Sequence, residues 1–297
     1  MKTLYIDCGM GVAGDMLGAA LYELLSESKK ARFLEIMNGL GVPGLFYSAG
    51  RLSRCGISGT TMSVLLDGRD EEDVMKERAA KEGEDGTGCT DSYRHEDSSC
   101  HDHIHEANAL GHHHGNHNHS HRSMREVAQI LEGMRVADRV KARARKVYDL
   151  IAEAESFVHE VPITEIHFHE VGSLDAIADV TAACLLLDML APDRVVCSPV
   201  RVGHGQVHCA HGILPVPAPA TARLLLGIPS YGGDKEGEMC TPTGVALVKE
   251  LADAFAPQPL LKSETIGYGM GKKDFGWAGC VRAIMGEEED PEKYGLD

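Results

Sequence analysis

The chain has 297 residues, 43% of them hydrophobic, and a formal net charge of −16. That length can bury the core of one large domain or two ordinary ones. The negative charge argues against binding nucleic acid or an anionic membrane surface, whereas it attracts cations. The N-terminus lacks the apolar stretch of a secretion signal, and the longest apolar run, 182–191, is too short to span a bilayer. We therefore expect a soluble protein that can handle metal ions.

Nine cysteines without a CxxC pair predict neither a disulfide framework nor a four-thiolate zinc site, so the cytoplasm is the expected compartment. Hydrophobic periodicity predicts strands that alternate with helices. Helices are predicted at 15–25, 30–40, 125–134, 137–158, 174–190 and 243–254, and strands at 3–7, 46–55, 60–66 and 194–200. This order predicts an α/β fold, a mixed sheet flanked by helices.

The composition changes sharply at residue 67. Ten of the sixteen histidines lie between His95 and His121, among acidic residues and with few apolar ones. Such a segment buries too little surface to offset the entropy of ordering it, so we expect 68–122 to be a disordered acidic and histidine-rich insert. The single α/β domain, in one or two subdomains, would then comprise 1–67 and 123–285, followed by an acidic tail at 286–297. Histidine tracts of this kind bind metal ions weakly and raise their local concentration.

Residues 7–15 read DCGMGVAGD and form the first candidate site. Gly9, Gly11 and Gly14 match the GxGxxG pattern of dinucleotide binding, which also follows a strand and opens a helix. The acidic residue that such a site places at the end of the next strand is missing, because that region is predicted to be helical. Asp7 and Asp15 would repel a bare pyrophosphate but suit a metal-bound phosphate. NAD binding is disfavoured, while a metal-bound phosphate site and a structural strand–helix turn remain open.

The stretch EIHFHEVGSLDAIAD, residues 165–179, is the second and strongest candidate. If its start is extended, His167 and His169 point to the same side. Asp175 and Asp179 lie four residues apart on one face of a helix that is apolar almost all round and should be buried. Buried carboxylates need partners or a metal ion, and imidazoles with carboxylates suit a first-row divalent ion. The alternative is a helix cap and ion pairs with no ligand.

The third candidate is GHGQVHCAH, residues 203–211. His204, His208 and His211, together with Cys209, offer the imidazole and thiolate ligands that nickel and zinc accept. The alternative is a glycine-rich loop whose histidines bind backbone groups.

The fourth candidate is GYGMGKKD, residues 267–274, in which alternating glycines, Gly269 among them, could form an anion nest beside Lys272. A plain β-turn is nearly as good an explanation. In CTPTG, residues 240–244, Thr243 is predicted to cap a helix whose start faces an anionic group.

These motifs together resemble the LarC family of nickel insertases. The resemblance rests on DCGMGVAGDM, HFHEVGSLDAIADV, PVRVGHGQVHCAHGILPVPAPAT, CTPTG and ETIGYGMGKKDF, and it runs from residue 3 to about residue 285, apart from the insert. It implies a lyase-class nickel insertase that completes the nickel-pincer nucleotide cofactor of lactate racemase. The implied substrate is a pyridinium mononucleotide with two thiocarboxylates. Nickel would end bound to two sulfurs and one ring carbon, while CTP is cleaved to CMP and diphosphate with Mg²⁺ or Mn²⁺.

The resemblance also implies a further C-terminal domain or chain, associated with CTP binding and oligomerisation, so we expect a homo-oligomer and a requirement for that partner. Forming a nickel–carbon bond requires removal of a ring proton, and His167, His169 or Glu170 could be the base. Gly9, Gly11, Gly14, Thr243, Gly269 and Lys272 are the candidates for nucleotide binding. The competing hypotheses are a nickel-binding chaperone without catalysis and a metal-dependent phosphohydrolase that uses the aspartates.

Overall fold

The computed structural model describes residues 1–70, 122–168, 170–209 and 212–295. The predicted insert therefore lies outside the described residues except at its two ends. At one end, Arg69–Asp70 pairs with a strand of the main sheet, and at the other Arg122 donates a hydrogen bond of 2.7 Å to the carbonyl of Gly172. Segments on both sides of the insert supply strands to the same sheet.

The helices and strands alternate largely as predicted. The helices are α1 Gly14–Glu23, α2 Glu27–Asn38, α3 Met124–Gly133, α4 Asp138–His159, α5 Leu174–Leu190, α6 Pro219–Leu224 and α7 Pro242–Leu251. The strands are β1 Lys2–Asp7, β2 Leu45–Arg54, β3 Ile57–Leu66, β4 Arg69–Asp70, β5 Arg122–Ser123, β6 His167–Phe168, β7 Arg194–Cys197, β8 Val200–Arg201, β9 Gly203–His204, β10 Gln206–Cys209, β11 Gly212–Pro215, β12 Ser230–Tyr231, β13 Gly237–Glu238, β14 Ala254–Phe255, β15 Leu261–Met270 and β16 Cys280–Glu288.

The main sheet has eight strands and is mixed, which confirms the predicted fold class. Its order is β14-β7-β1-β16-β15-β3-β2, with β4 paired to β3. β1 is parallel to β7 and antiparallel to β16, which is in turn antiparallel to β15. The carboxyl ends of β1, β7 and β15 therefore lie at one edge of the sheet. Ligands of α/β proteins commonly bind at this kind of edge.

The helices pack on one face of the sheet. Leu4 and Ile6 of β1 join the large core that includes every long helix, whereas Tyr5 belongs to a small cluster with Val196 and Ile284. This division follows from the period-two alternation of side chains along a strand. Helix α5 lies deepest: Ile177, Val180 and most of its later residues are buried. The prediction that α5 is buried on nearly all sides is confirmed.

Local sequence explains several element boundaries. The side chain of Ser173 accepts a hydrogen bond from the Ala176 amide and caps α5, as predicted. Cys55 and Gly56, both with positive φ, form a two-residue turn between β2 and β3. The first residues of the predicted tail continue strand β16, because Gly286 and Glu287 pair with β1. No helix in the described ranges is long and apolar enough to cross a membrane.

Candidate functional site

The candidate site lies at the carboxyl end of β1, where the starts of α1 and α7 meet helix α5. The backbone at Val12 is hydrogen-bonded to Met239 and Thr241, which ties the turn after β1 to the turn before α7. A Cβ on Gly14 would lie 3.5 Å from the Cβ of Asp179 and 3.6 Å from Oγ1 of Thr243. Three distant stretches of the sequence therefore converge at Gly14.

Three carboxylates, Asp15, Asp175 and Asp179, interact at this point and are called the acid cluster here. Asp15 lies in the first turn of α1 and accepts a hydrogen bond of 2.8 Å from the amide of Met16. Asp175 accepts a hydrogen bond from Ser173, and Asp179 accepts one of 3.2 Å from the hydroxyl of Tyr47. The predicted shared face of Asp175 and Asp179 is confirmed, and Asp15 joins them.

Two carboxyls of the acid cluster, Asp15 and Asp179, have pKa values raised above those of free carboxyls. Burial raises the pKa of Asp179 well above its usual value, and the charges of Asp15 and Asp175 raise it further. Burial also raises the pKa of Asp15, although the charge of Lys272 opposes this shift. A cation that enters the cluster would replace the protons, because carboxylates bind metal ions in their ionised form.

Lys272 supplies the positive charge beside the acid cluster. Burial lowers its pKa, but Asp15, Asp70 and Asp179 outweigh that effect and the net shift is upward. Arg54 holds the backbone around this lysine: its guanidinium donates to the carbonyls of Lys272, Gly271 and Lys273, at 2.6 Å for the last two. The β15–β16 loop (residues 271–279) is thereby fixed against the β2–β3 hairpin.

A second group of charges lies next along the same loop. Glu238 of β13 is half-buried and pairs with Lys273, with 3.7 Å between Oε2 and Nζ. Burial raises the pKa of Glu238, Lys273 opposes this, and the charge of Glu170 raises it further. His204 pairs with Gly237 across β9 and β13. Glu170 of the HFHEVG stretch and His204 of the 203–211 stretch are thus linked through β13, by a charge interaction with Glu238 and by strand pairing with Gly237.

Asp7 lies in a different environment from Asp15. Its carboxylate accepts a hydrogen bond of 2.7 Å from Arg282 and one of 2.9 Å from the amide of Gly9. The charges that shift the pKa of Asp15 are those of Lys272 and Asp175. The expectation that Asp7 and Asp15 bracket one phosphate-bound metal ion is therefore not supported, because Arg282 neutralises Asp7.

The predicted imidazole ligands are exposed where the structure describes them. His167 pairs with Ser123 across β5 and β6, while His204 and His208 lie on β9 and β10. His169 and His211 lie outside the described residues. Within the described ranges, no three His, Cys, Asp or Glu side chains are arranged to hold a metal ion. The assignment of these histidines as ligands stays a prediction.

The glycines of the two candidate loops are explained by close packing. A Cβ on Gly11, where φ is 97°, would lie 2.0 Å from the carbonyl oxygen of Met239, and one on Gly269 would lie 1.8 Å from that of Met16. Gly269 lies inside strand β15 without a positive φ, so its conformation gives no support to the interpretation of this stretch as an anion nest. The dinucleotide interpretation of Gly9, Gly11 and Gly14 gains no support.

The cap of α7 lies two residues before the predicted one. The helix begins at Pro242, and Thr241, whose Oγ1 accepts a hydrogen bond of 3.2 Å from the amide of Gly244, is its cap. Thr243 lies in the first turn with its hydroxyl 3.0 Å from that of Thr241. Pro at the first helical position fits this arrangement, because its missing N–H would have no helical partner there. The proximity of Thr243 to Gly14 still places it beside the acid cluster.

Tyr47, Glu238 and Arg54 lie beside the acid cluster and Lys273 but were not identified from the sequence. Tyr47 is buried in β2 with a hydroxyl that faces α5, 132 residues away in sequence. Its alternating surroundings predict a strand and nothing more. Glu238 sits in a polar, glycine-rich stretch that has no recognisable motif. These residues can be recognised only from their contacts in the folded chain.

The fold is a mixed α/β sheet flanked by helices, with clustered carboxylates and a lysine near the carboxyl ends of β1 and β15. The family model described as nickel insertion protein matches residues 4–295. The chain therefore belongs to the nickel insertion (LarC) family, which confirms the resemblance noted in the sequence.

Several curated relatives carry the name pyridinium-3,5-bisthiocarboxylic acid mononucleotide nickel insertion protein. That of Geobacillus kaustophilus is 33% identical over 97% of this chain and 60% of its own length. That of Desulfitobacterium hafniense is 32% identical over 99% of this chain and 60% of its own length. One from Staphylococcus epidermidis is 40% identical over 57% of this chain and 43% of its own length. The chain thus spans about three-fifths of the two longer matches. No solved structure matches it.

Proposed function

We propose that this chain inserts nickel into the pyridinium bisthiocarboxylate mononucleotide and so completes the nickel-pincer cofactor of lactate racemase. The names of its relatives identify that substrate class for those proteins. The observation that carries the proposal for this chain is the acid cluster, with Lys272 beside it. Nickel is the cargo of the reaction, and carboxylates of the cluster would bind it together with the substrate's sulfurs, because no three described side chains form a metal site by themselves.

The donor set suits transfer better than storage. Carboxylates with raised pKa values release protons when a divalent ion arrives, and carboxylate oxygen is a poorer ligand for nickel than sulfur or imidazole is. The substrate's two sulfurs can therefore take the ion from Asp15, Asp175 and Asp179. Lys272 would meet an anionic group of the substrate on the other side of the cluster.

The second half of the reaction is removal of a ring proton, and Glu170 is our choice of base. It is exposed in the turn before α5, and its charge acts on Glu238 of β13, so it lies beside the second group of charges. His167 is the alternative among the described residues, and His169 remains a third candidate.

CTP dependence belongs to the proposal as well. Mg²⁺ and Mn²⁺ are commonly held by one or two carboxylates together with nucleotide phosphates, and the acid cluster offers such oxygens. We propose that nickel insertion, a lyase-class reaction accompanied by CTP cleavage, requires the region that makes up the remaining length of the relatives, supplied as a partner domain or chain. Homo-oligomerisation is proposed with it. The cytoplasmic setting is supported by the described cysteines, which are free thiols.

The test is nickel insertion by this chain together with the C-terminal region of a relative, with precursor, CTP, magnesium and nickel, and with product measured by mass spectrometry. Glu170→Gln should slow the reaction by roughly 10²- to 10⁴-fold, the usual contribution of a general base. Glu165→Gln, an exposed glutamate five residues earlier, is the matched control and should be unaffected. An unchanged rate in Glu170→Gln would remove it from the mechanism.

Deleting residues 95–121 separates insertion from the chaperone alternative. An insertase should keep its turnover and a low-stoichiometry nickel site after the deletion, because the acid cluster is intact. A chaperone should lose most of its nickel capacity and show no product at any stage. Steady nucleotide turnover without nickel or precursor would instead indicate the phosphohydrolase.

A further inference from the structure

Two buried donors at the far end of the β15–β16 loop have no hydrogen-bond partner in the part of the chain that the structure describes. They are Nε of Arg201 and Nε1 of Trp277. The guanidinium of Arg201 stacks on the Trp277 ring with 4.4 Å between Cζ and the ring centroid. Unpartnered buried N–H groups are costly, so a ligand that accepts from them would be favoured.

Only one of the two N–H donors on one edge of the Arg201 guanidinium, a pair called the fork here, has a hydrogen-bond partner among the described residues. Nη2 of Arg201 donates to the carboxylate of Asp234, an exposed residue, while Nε on the same edge is unpaired. That edge is the one that holds two oxygens of a phosphate or carboxylate at once. The carboxylate of Asp234 therefore accepts from only one of the two donors on this edge of Arg201.

Gly233 lies beside the Nε–Nη2 edge of Arg201, and its lack of a side chain leaves that edge unobstructed. Gly233 has φ of 76°, and a Cβ there would lie 2.4 Å from Nε and 2.8 Å from Nη2 of Arg201. Any side chain at position 233 would thus occupy the fork. A second cation is close, because Nζ of Lys235 lies 5.7 Å from the centroid of the Trp277 ring.

We propose that Arg201, Trp277 and Lys235 form the subsite for the phosphate of the mononucleotide substrate; this inference rests on the proposed function. The phosphate displaces Asp234 and takes both donors of the fork. Trp277 and Lys272 are five residues apart on one loop, so their Cα atoms are separated by at most roughly 18 Å. This span is short enough for one substrate to bind its phosphate at Trp277 and present its ring near Lys272.

Trp277 is the only tryptophan of the chain, so its fluorescence reports on this subsite directly. We would titrate the chain with nicotinic acid mononucleotide, a pyridinium mononucleotide, and with the matching riboside that lacks the phosphate. The mononucleotide should quench the fluorescence saturably and bind at least about tenfold more tightly, since a charge-assisted hydrogen bond is worth about that factor or more. Equal affinities, or no quenching by either, would overturn the proposal.

Variants assign the effect to the fork. Arg201→Lys keeps the charge but loses the fork, and it should weaken mononucleotide binding about tenfold while leaving riboside binding unchanged. Gly233→Ala should do the same, because its Cβ fills the fork. Gly227→Ala is the matched control: Gly227 has φ of 84° and nothing within 4 Å of a Cβ. Thermal unfolding verifies that each variant is folded. If Gly233→Ala does not fold, the binding data for Arg201→Lys alone test the proposal.

Two further outcomes have distinct meanings. Tighter quenching by CTP than by the mononucleotide, lost in Arg201→Lys, would overturn the assignment to the substrate phosphate. Nickel insertion with an unchanged KM for the precursor in Arg201→Lys would overturn the subsite and leave the proposed function standing. Phosphate-dependent quenching without any insertion would support the subsite and count against the proposed function alone.

Discussion

Replacing Asp179 by Asn should stabilise the protein while weakening its binding of nickel. Asp179 lies beside two other carboxylates, and burial followed by their charges raises its pKa well above its usual value. The asparagine keeps an oxygen that accepts from the Tyr47 hydroxyl, so the hydrogen bond of 3.2 Å survives. The substitution removes only the charge, and that charge is unfavourable in the folded state at neutral pH.

The size of the effect follows from the spacing within α5. Asp175 and Asp179 are one helical turn apart, so their Cβ atoms are roughly 6 Å apart. Like charges at this spacing cost about 0.2–0.5 kcal/mol on an exposed helix, and Coulomb's law with an effective dielectric constant of about 20 sets an upper figure of roughly 3 kcal/mol. The partly buried cluster lies between these limits. We expect the free energy of unfolding at pH 7 to rise by roughly 1–2 kcal/mol, or a Tm increase of about 2–8 °C.

The pH dependence gives a second check on the same reasoning. A carboxyl whose pKa is higher in the folded than in the unfolded chain costs stability above its folded pKa. This cost shrinks as the pH falls through the folded pKa and is gone below the unfolded value of about 3.9. The advantage of Asp179→Asn should therefore be largest at neutral pH and decrease steadily toward about pH 4.

The assay is thermal unfolding from pH 4 to pH 8 without metal, followed by calorimetric titration with nickel. The control is Asp188→Asn, on the same helix. The carboxylate of Asp188 accepts two hydrogen bonds from Arg139, so loss of its charge should lower the free energy of unfolding slightly. If Asp179→Asn lowered the free energy of unfolding, the carboxylate would be a structural partner of Tyr47 and the acid cluster would lose its functional meaning. Unchanged nickel affinity would lead to the same conclusion.

Two further substitutions test the surroundings of the cluster. Tyr47→Phe keeps the buried volume but removes the hydrogen bond to Asp179; insertion should slow about tenfold with little change in Tm, and a wild-type rate would show that the hydroxyl does not position the carboxylate. Gly269→Ala should lower the free energy of unfolding by about 1–3 kcal/mol or more, because its Cβ would lie 1.8 Å from the Met16 carbonyl oxygen. Gly133→Ala, with open space around it, should unfold like the wild type, and similar curves for Gly269→Ala would refute the close packing of β15 on α1.

Much of the site's framework can be predicted from local sequence. Helix α5 begins and ends where its apolar run does, with Ser173 as its cap, because capping and periodicity act over a few residues. The shared face of Asp175 and Asp179 follows from the geometry of one helix. The mixed α/β class follows from the order of the elements. The motifs that carry the family resemblance are local in the same sense.

Only the tertiary structure decided which charges meet. Asp15 joins the helix α5 carboxylates while Asp7, eight residues earlier, pairs with Arg282, because β1 ends between β7 and β16 and the turn after it folds toward α5. Tyr47 and Lys272 reach the cluster from a hairpin and a loop far away in sequence. No local pattern encodes such pairings, since they depend on the strand order of the sheet and on how closely glycines allow helices to approach it.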